Sequence, residues 1–98
     1  MTQHGALMHD AVDDVAVVIA DVATGVEVRA VTLEGKEVGL IKAVEDIPLG
    51  HKIAVRDLAR GKEVIKYGRA IGQASQAIAK GGHVHTHNVK SIRWGSHG

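Results

Sequence analysis

Three histidines at alternate positions, in Gly82-His83-Val84-His85-Thr86-His87-Asn88, form the stretch best equipped for chemistry. Successive side chains of an extended strand point to opposite faces, so a strand here would put His83, His85 and His87 on one face and Val84 and Thr86 on the other. Neutral imidazoles side by side can ligate a divalent cation or carry a proton near neutral pH. The spacing alone fits a solvated, His-rich edge strand equally well, since such a tract is a compositional hint and not a motif.

Other residues have the right types but less telling positions. His51 follows a turn glycine, and a lone histidine is commonly only a solvated or satisfied side chain. Lys66 and Arg69 flank Tyr67-Gly68 and would suit a substrate carboxylate, Arg69 through a bidentate pair, although surface charge explains them too. Asn88 either donates and accepts at the end of the histidine strand or opens a turn. Trp94, with Lys90 and Arg93, reads as a loose tail or as an anchor into a partner, because Trp and Arg are enriched at binding hot spots.

Length and composition narrow the function classes. Ninety-eight residues suit one modest core without a deep, self-contained cleft, which favours a module or a subunit. Twelve Lys and Arg against eleven Asp and Glu give a net charge of +1 with no basic stripe, and Tyr67 and Trp94 are the only aromatics. That argues against nucleic acid as a partner. The absence of cysteine leaves His, carboxylate and substrate oxygen as the ligands for any metal. The longest apolar run, Val15 to Ala20, is too short for a bilayer, and the first residues lack a signal peptide's pattern, so a cytoplasmic chain without a membrane partner is expected.

The elements that would position these residues read as short strands between glycine turns. Residues 1–13 are polar and aperiodic and are expected to be a flexible terminus. The aliphatic run from Asp14 to Ala20 suits a buried strand, Val26 to Ala30 alternates like a half-buried one, and Glu34-Gly35 marks a turn before a strand over 38–43. A phrase recurs: Asp21-Val22-Ala23-Thr24-Gly25, Asp46-Ile47-Pro48-Leu49-Gly50 and Asp57-Leu58-Ala59-Arg60-Gly61, with Ala77-Ile78-Ala79-Lys80-Gly81 lacking only the Asp. Each copy offers an aliphatic anchor, a glycine free to take positive φ, and an Asp able to bond nearby backbone N–H groups. Four such turns feeding four strands predict an all-β body of short, bent antiparallel hairpins. Irregular spacing of the copies argues against a solenoid. Residues 65–74 read as a hairpin with a bulge, and the good helix formers at 73–80 predict one or two turns of helix.

Several of these phrases together carry a resemblance. Asp46-Ile47-Pro48-Leu49-Gly50-His51-Lys52-Ile53-Ala54, Glu63-Val64-Ile65-Lys66-Tyr67-Gly68, Ile71-Gly72 and the histidine stretch resemble the N-terminal region of altronate and galactarate dehydratases. They also resemble the separate small subunit of two-subunit members, including the alpha subunit of (2R)-sulfolactate sulfo-lyase. The resemblance implies a SAF domain of β-clip fold over residues 14–89, with 90–98 as a tail. It implies a lyase that removes a proton beside a carboxylate and expels water or sulfite from the next carbon of an anionic 2-hydroxy acid. It further implies a large catalytic subunit as partner, and a divalent metal, Fe2+ or else Mn2+, acting as a Lewis acid.

On the same basis His83, His85 and His87 are the catalytic candidates, with His85 and His87 as the expected metal pair and the division of roles left open. His51, Lys66, Arg69 and Asn88 are the substrate-binding candidates. His85-Thr86-His87-Asn88 is similar to the dehydratases, whereas Asn88 to Trp94 is more similar to the sulfo-lyase subunit, so the substrate stays open. A non-catalytic sugar-acid or metal-binding module on the same scaffold is the competing reading. Exposed strand edges leave room for a homo-oligomer.

Overall fold

The computed structural model describes residues 4–85 and 87–90. Among these described residues there are nine strands: β1 (His4–Met8), β2 (Val15–Val18), β3 (Glu27–Thr32), β4 (Glu37–Lys42), β5 (Lys52–Ala54), β6 (Glu63–Lys66), β7 (Arg69–Ala74), β8 (His83–Val84) and β9 (Val89–Lys90). They form a six-stranded sheet in the order β4-β3-β1-β2-β5-β8 and a three-stranded sheet in the order β6-β7-β9. The all-β expectation holds, and no helix occurs among the described residues.

The recurring phrase is the device that bends the chain. Gly25, Gly50, Gly61 and Gly81 all adopt φ between 83° and 90°, a region open to glycine at no steric cost, and β3, β5, β6 and β8 each begin two residues later. The aspartates act across copies, not locally. Asp46 Oδ1 accepts from Thr24 N and Thr24 Oγ1 at 2.8 Å, and Asp21 Oδ1 accepts from Leu49 N at 2.8 Å, while Val22 and Ile47 form a bridge between the two turns. The third and fourth copies repeat the arrangement through a Leu58–Ile78 bridge and an Asp57 Oδ1 bond to Lys80 N. Two clips, each made of two turns, therefore fold the chain.

Three expectations need correction. Residues 4–8 are not loose. They form β1, parallel to β3 and antiparallel to β2, because Ala6 and Met8 bury completely in the core, so the body is not wholly antiparallel either. The helix expected at 73–80 is absent. Gln73 and Ala74 end β7 opposite Lys90 and Val89, and Ile78 exchanges backbone bonds of 2.7 and 2.8 Å with Leu58; burial of Ala74 and Ile78 outweighs a weak local propensity. The hairpin over 65–74 keeps its predicted bulge, at Val64/Ile65.

Two apolar clusters hold the sheets. One lines the inside of the curled six-stranded sheet and includes Ala6, Met8, Val18, Val28, Ile41 and Ile53. The other joins the sheets through Val15, Ala54 and Val84 on one side and Leu58, Val64, Ala74 and Ile78 on the other. A buried acidic pair ties the β6–β7 hairpin to the start of β2: Asp14 Oδ2 accepts from Lys62 Nζ (2.7 Å) and Ile65 N (2.9 Å), and Asp13 Oδ1 accepts from Gly68 N (3.1 Å). Burial pushes the Asp13 carboxyl up, but the backbone N–H groups of Gly68, Tyr67, Asp10 and His9 outweigh it and hold the group below its ordinary value. No helix of the described residues is long and apolar enough to cross a membrane.

Candidate functional site

The histidine stretch hangs from a double glycine wedged into the fold. A Cβ at Gly81 would overlap the Lys42 carbonyl oxygen, and one at Gly82 would press on the Ala79 oxygen. Only glycines let the backbone pass there. Gly81 N donates to Ala54 O, Val44 N donates to Gly81 O and Ala54 N donates to Gly82 O, which fixes the start of β8 against β5. His83 N then donates to Glu45 Oε2 at 3.0 Å.

Beyond Val84 the chain turns and does not stay extended. Asn88 N and Val89 N both donate to His85 O at 3.1 Å. The buried Asn88 side chain closes the loop, its Oδ1 accepting from His85 N at 3.0 Å and its Nδ2 donating to His83 O at 2.7 Å. The strand expected through 83–87 therefore stops at Val84. The rings nonetheless converge, through the turn rather than through strand alternation.

The convergence takes in His51. Its backbone donates to Pro48 O and accepts from Val18 N, placing the ring between those of the histidine stretch. His51 stacks on His85 with centroids 3.9 Å apart and on His83 at 5.0 Å, and its Nδ1 lies 2.8 Å from His83 Nε2. One ligating nitrogen from each of His51, His83 and His85 falls within 4.8 Å of the others. His87 is exposed and tilts against His83 at 4.9 Å. The geometry thus groups His51, His83 and His85, where the sequence singled out His85 and His87 as the metal pair.

The electrostatics favour the neutral form of His83 and His85. Burial first, then the neighbouring His87 and His51 rings, push His83 below the ordinary imidazole value against the pull of Glu45, with His85 adding to the depression. Desolvation, His51, Lys52 and His87 lower His85 in the same way. Neutral imidazoles are the form that ligates metal or accepts a proton. Two nitrogens bound to one cation at about 2.1 Å and a right angle apart would be about 3 Å from each other, close to the His51–His83 separation, so this pair has the spacing of two ligands of a divalent ion that takes imidazole, with a His85 nitrogen within 4.8 Å of both.

The remaining candidates lie elsewhere or serve other ends. Asn88 is a positioning residue whose amide is taken up by backbone groups. Lys66 sits with its Nζ 3.5 Å over the Tyr67 ring and lines a cavity with His9 and Asp13, and exposed Arg69 opens β7 beyond the same turn. Neither joins the imidazole cluster. Thr86 and residues 91–98, including Trp94, lie outside the described residues. Glu45 escaped the sequence reading, since nothing in its neighbourhood marks a carboxylate that reaches 38 residues on.

Comparison with known proteins places the chain in context. The family model for the altronate/galactarate dehydratase SAF domain matches residues 4–92. The chain is 42% identical over 89 residues to the (2R)-sulfolactate sulfo-lyase subunit alpha of Chromohalobacter salexigens, covering 90% of this chain and 95% of that one. It is 46% identical over 81 residues to the altronate dehydratase of Escherichia coli, covering 83% of this chain and 15% of that enzyme. The galactarate dehydratase (L-threo-forming) of the same organism is 36% identical over 74 residues, with 13% of its length covered.

Proposed function

The chain belongs to the altronate/galactarate dehydratase SAF-domain family, and from that premise we propose that it is the small subunit of a two-subunit lyase, lending its imidazole cluster to an active site shared with a large subunit. The observation that carries this reading is the gathering of His51, His83 and His85 at one place, on a domain that matches a whole sulfo-lyase alpha subunit but a small fraction of a dehydratase. A domain of this size ordinarily lacks a deep cleft of its own, and in this reading the rest of the site comes from the large subunit.

The reaction is elimination from an anionic 2-hydroxy acid. A proton leaves the carbon beside the carboxylate, its electron pair forms the new double bond, and water or sulfite departs from the next carbon; the enol product then ketonises. A divalent ion, Fe2+ or Mn2+, held by His51, His83 and His85 would supply Lewis acidity toward a substrate oxygen. Exposed His87, outside that donor group with its ring 4.9 Å from that of His83, would give or take a proton at the cluster's rim. Glu45 and Asn88 hold the His83 and His85 backbone and thereby fix both rings.

The test is the reconstituted two-subunit enzyme assayed for sulfite release from (2R)-sulfolactate and for dehydration of altronate. The double change His85→Ala, His87→Ala is expected to lower turnover by at least about 10²-fold while leaving assembly intact. Unchanged turnover would reject a part for these rings in the chemistry.

A further inference from the structure

The contacts that hold the three clustered imidazoles in place are internal to this chain. His51 is fixed through its backbone to Pro48 O and Val18 N. His83 is the strand partner of Ile53, and its N–H is tied to Glu45. His85 gives its N–H to Asn88 Oδ1, and its carbonyl accepts from Asn88 N and Val89 N. No second polypeptide is needed to bring these donors together, and donors placed in advance bind at little ordering cost.

The donor set is also nitrogen alone. Among the described residues no carboxylate joins the group, and Glu45, which does reach His83, directs Oε2 to its backbone N–H. Divalent ions sort by such differences: imidazole suits Fe2+, Ni2+, Cu2+ and Zn2+, with Co2+ between Fe2+ and Ni2+ in affinity, whereas Mg2+, Ca2+ and Mn2+ prefer carboxylate, carbonyl and water. Three neutral ligands would leave the ion its full charge and at least one position open, which suits the oxygens of an anionic hydroxy acid.

We infer that this chain takes up the divalent ion by itself through His51, His83 and His85, selects Fe2+ and its imidazole-favouring neighbours over Mn2+, and brings the ion to the large subunit already bound. The inference rests on the metal-centre reading above and adds that the large subunit supplies no ligand needed to hold the ion. His51 Nδ1 and His83 Nε2, 2.8 Å apart, form the seat. His85 lies flat on His51, their planes 15° apart, and two parallel stacked rings cannot aim at one point. It joins by turning about its side-chain bonds, as a half-buried ring on a loop is free to do.

The test is titration of the full chain alone, stripped with chelator, using Co2+ followed by its visible absorption and then Zn2+ and Mn2+ as competitors. One Co2+ per chain is expected, displaced by Zn2+ and not by Mn2+ at about a tenfold excess. His51→Gln and His83→Gln should each weaken Co2+ binding at least about tenfold, since even loss of a ligand's supporting contacts costs about 10–100-fold, and His87→Gln should leave it within about twofold. Melting temperatures in chelator show which variants fold. Should His51 or His83 be needed for folding, His85→Gln carries the ligand test, with a loss of at least about threefold. If the chain alone takes up no Co2+ while the reconstituted two-subunit enzyme holds an ion that His51→Gln removes, self-loading is overturned and the metal-centre reading stands. If neither holds an ion through these rings, both fall. Mn2+ competing as well as Zn2+ overturns the selection, and a greater loss from His87→Gln than from His51→Gln overturns the donor set.

Discussion

His51 and His83, 32 residues apart in sequence, bring Nδ1 and Nε2 to 2.8 Å. At that distance two imidazole nitrogens either share one proton or face one cation; two bare lone pairs would repel. The pairing depends on both clips, because His51 follows the second copy of the recurring turn and His83 the fourth. The bends in the chain and the gathering of the rings therefore share one cause.

His51→Gln should separate the two uses of the cluster. Glutamine keeps some hydrogen-bonding capacity toward His83 but is a poor ligand and no base near neutral pH. Turnover of the two-subunit enzyme is expected to fall by about 10²-fold or more, with the metal content of the purified complex falling alongside it. Assembly with the large subunit should stay intact, so that the loss of turnover reports on the cluster and not on the complex. Full metal content and full turnover in this variant would remove His51 from the site.

The depressed imidazoles give a definite pH signature. A folded-state pKa below the unfolded one means that the folded chain binds fewer protons, so stability is complete above the unfolded value of about 6.5 and is lost as pH falls through the folded values of His83 and His85. The melting temperature of the chelated chain should drop between pH 7.5 and 5.5, and His83→Gln should flatten that slope. Asp13, held below its ordinary value of 3.8, adds its own loss only beneath about pH 4, so the two windows are distinct.

Much of this was legible in the sequence, and what was not has a physical reason. The repeats located four of the seven positive-φ glycines among the described residues, Gly25, Gly50, Gly61 and Gly81, since glycine is demanded there by the backbone itself. They did not say that each Asp reaches across to another copy, a fact of tertiary pairing. Alternation in the histidine stretch suggested neighbouring rings, and His83 and His85 do come together, but by another geometry: the rings meet because Asn88 folds the stretch back, and a buried Asn clip looks like any turn residue in one dimension. His51 looked ordinary because its partners are remote in sequence. β1 was missed because a strand of five residues containing Gly5 has little pattern to show, and its place between β2 and β3 is set by Ala6 and Met8 meeting the core.

Asn88→Ala tests the clip directly. It deletes two hydrogen bonds and takes the Asn88 donor from the part-buried His83 carbonyl, a loss of about 1–3 kcal/mol or roughly 5–20 °C in melting temperature for a domain of this size. Turnover should fall further than stability explains, because the His83 and His85 rings lose their fixed separation. Asn88→Asp is the sharper control. It can still accept from His85 N but sets a second acceptor against His83 O, and should be no better than alanine.

The two clips are not equivalent, and that asymmetry yields the last prediction. In the first, Asp21 and Asp46 each cap the other turn, through Leu49 N and Thr24 N. In the second, Asp57 caps Lys80 N, but the fourth copy has Ala77 where an Asp would reach Arg60 N, the counterpart of Thr24. Ala77→Asp should complete the pair. A carboxylate on an exposed backbone N–H contributes about 0.5–1.5 kcal/mol, and the site lies at the solvent side, so the lower half of that range applies, a rise of about 3–5 °C in melting temperature. The gain should vanish in Ala77→Asn at high salt far less than in Ala77→Asp, because screening weakens the charged acceptor more. An unchanged or lowered melting temperature for Ala77→Asp would show that the second clip does not share the geometry of the first, despite the matching Leu58–Ile78 and Val22–Ile47 bridges.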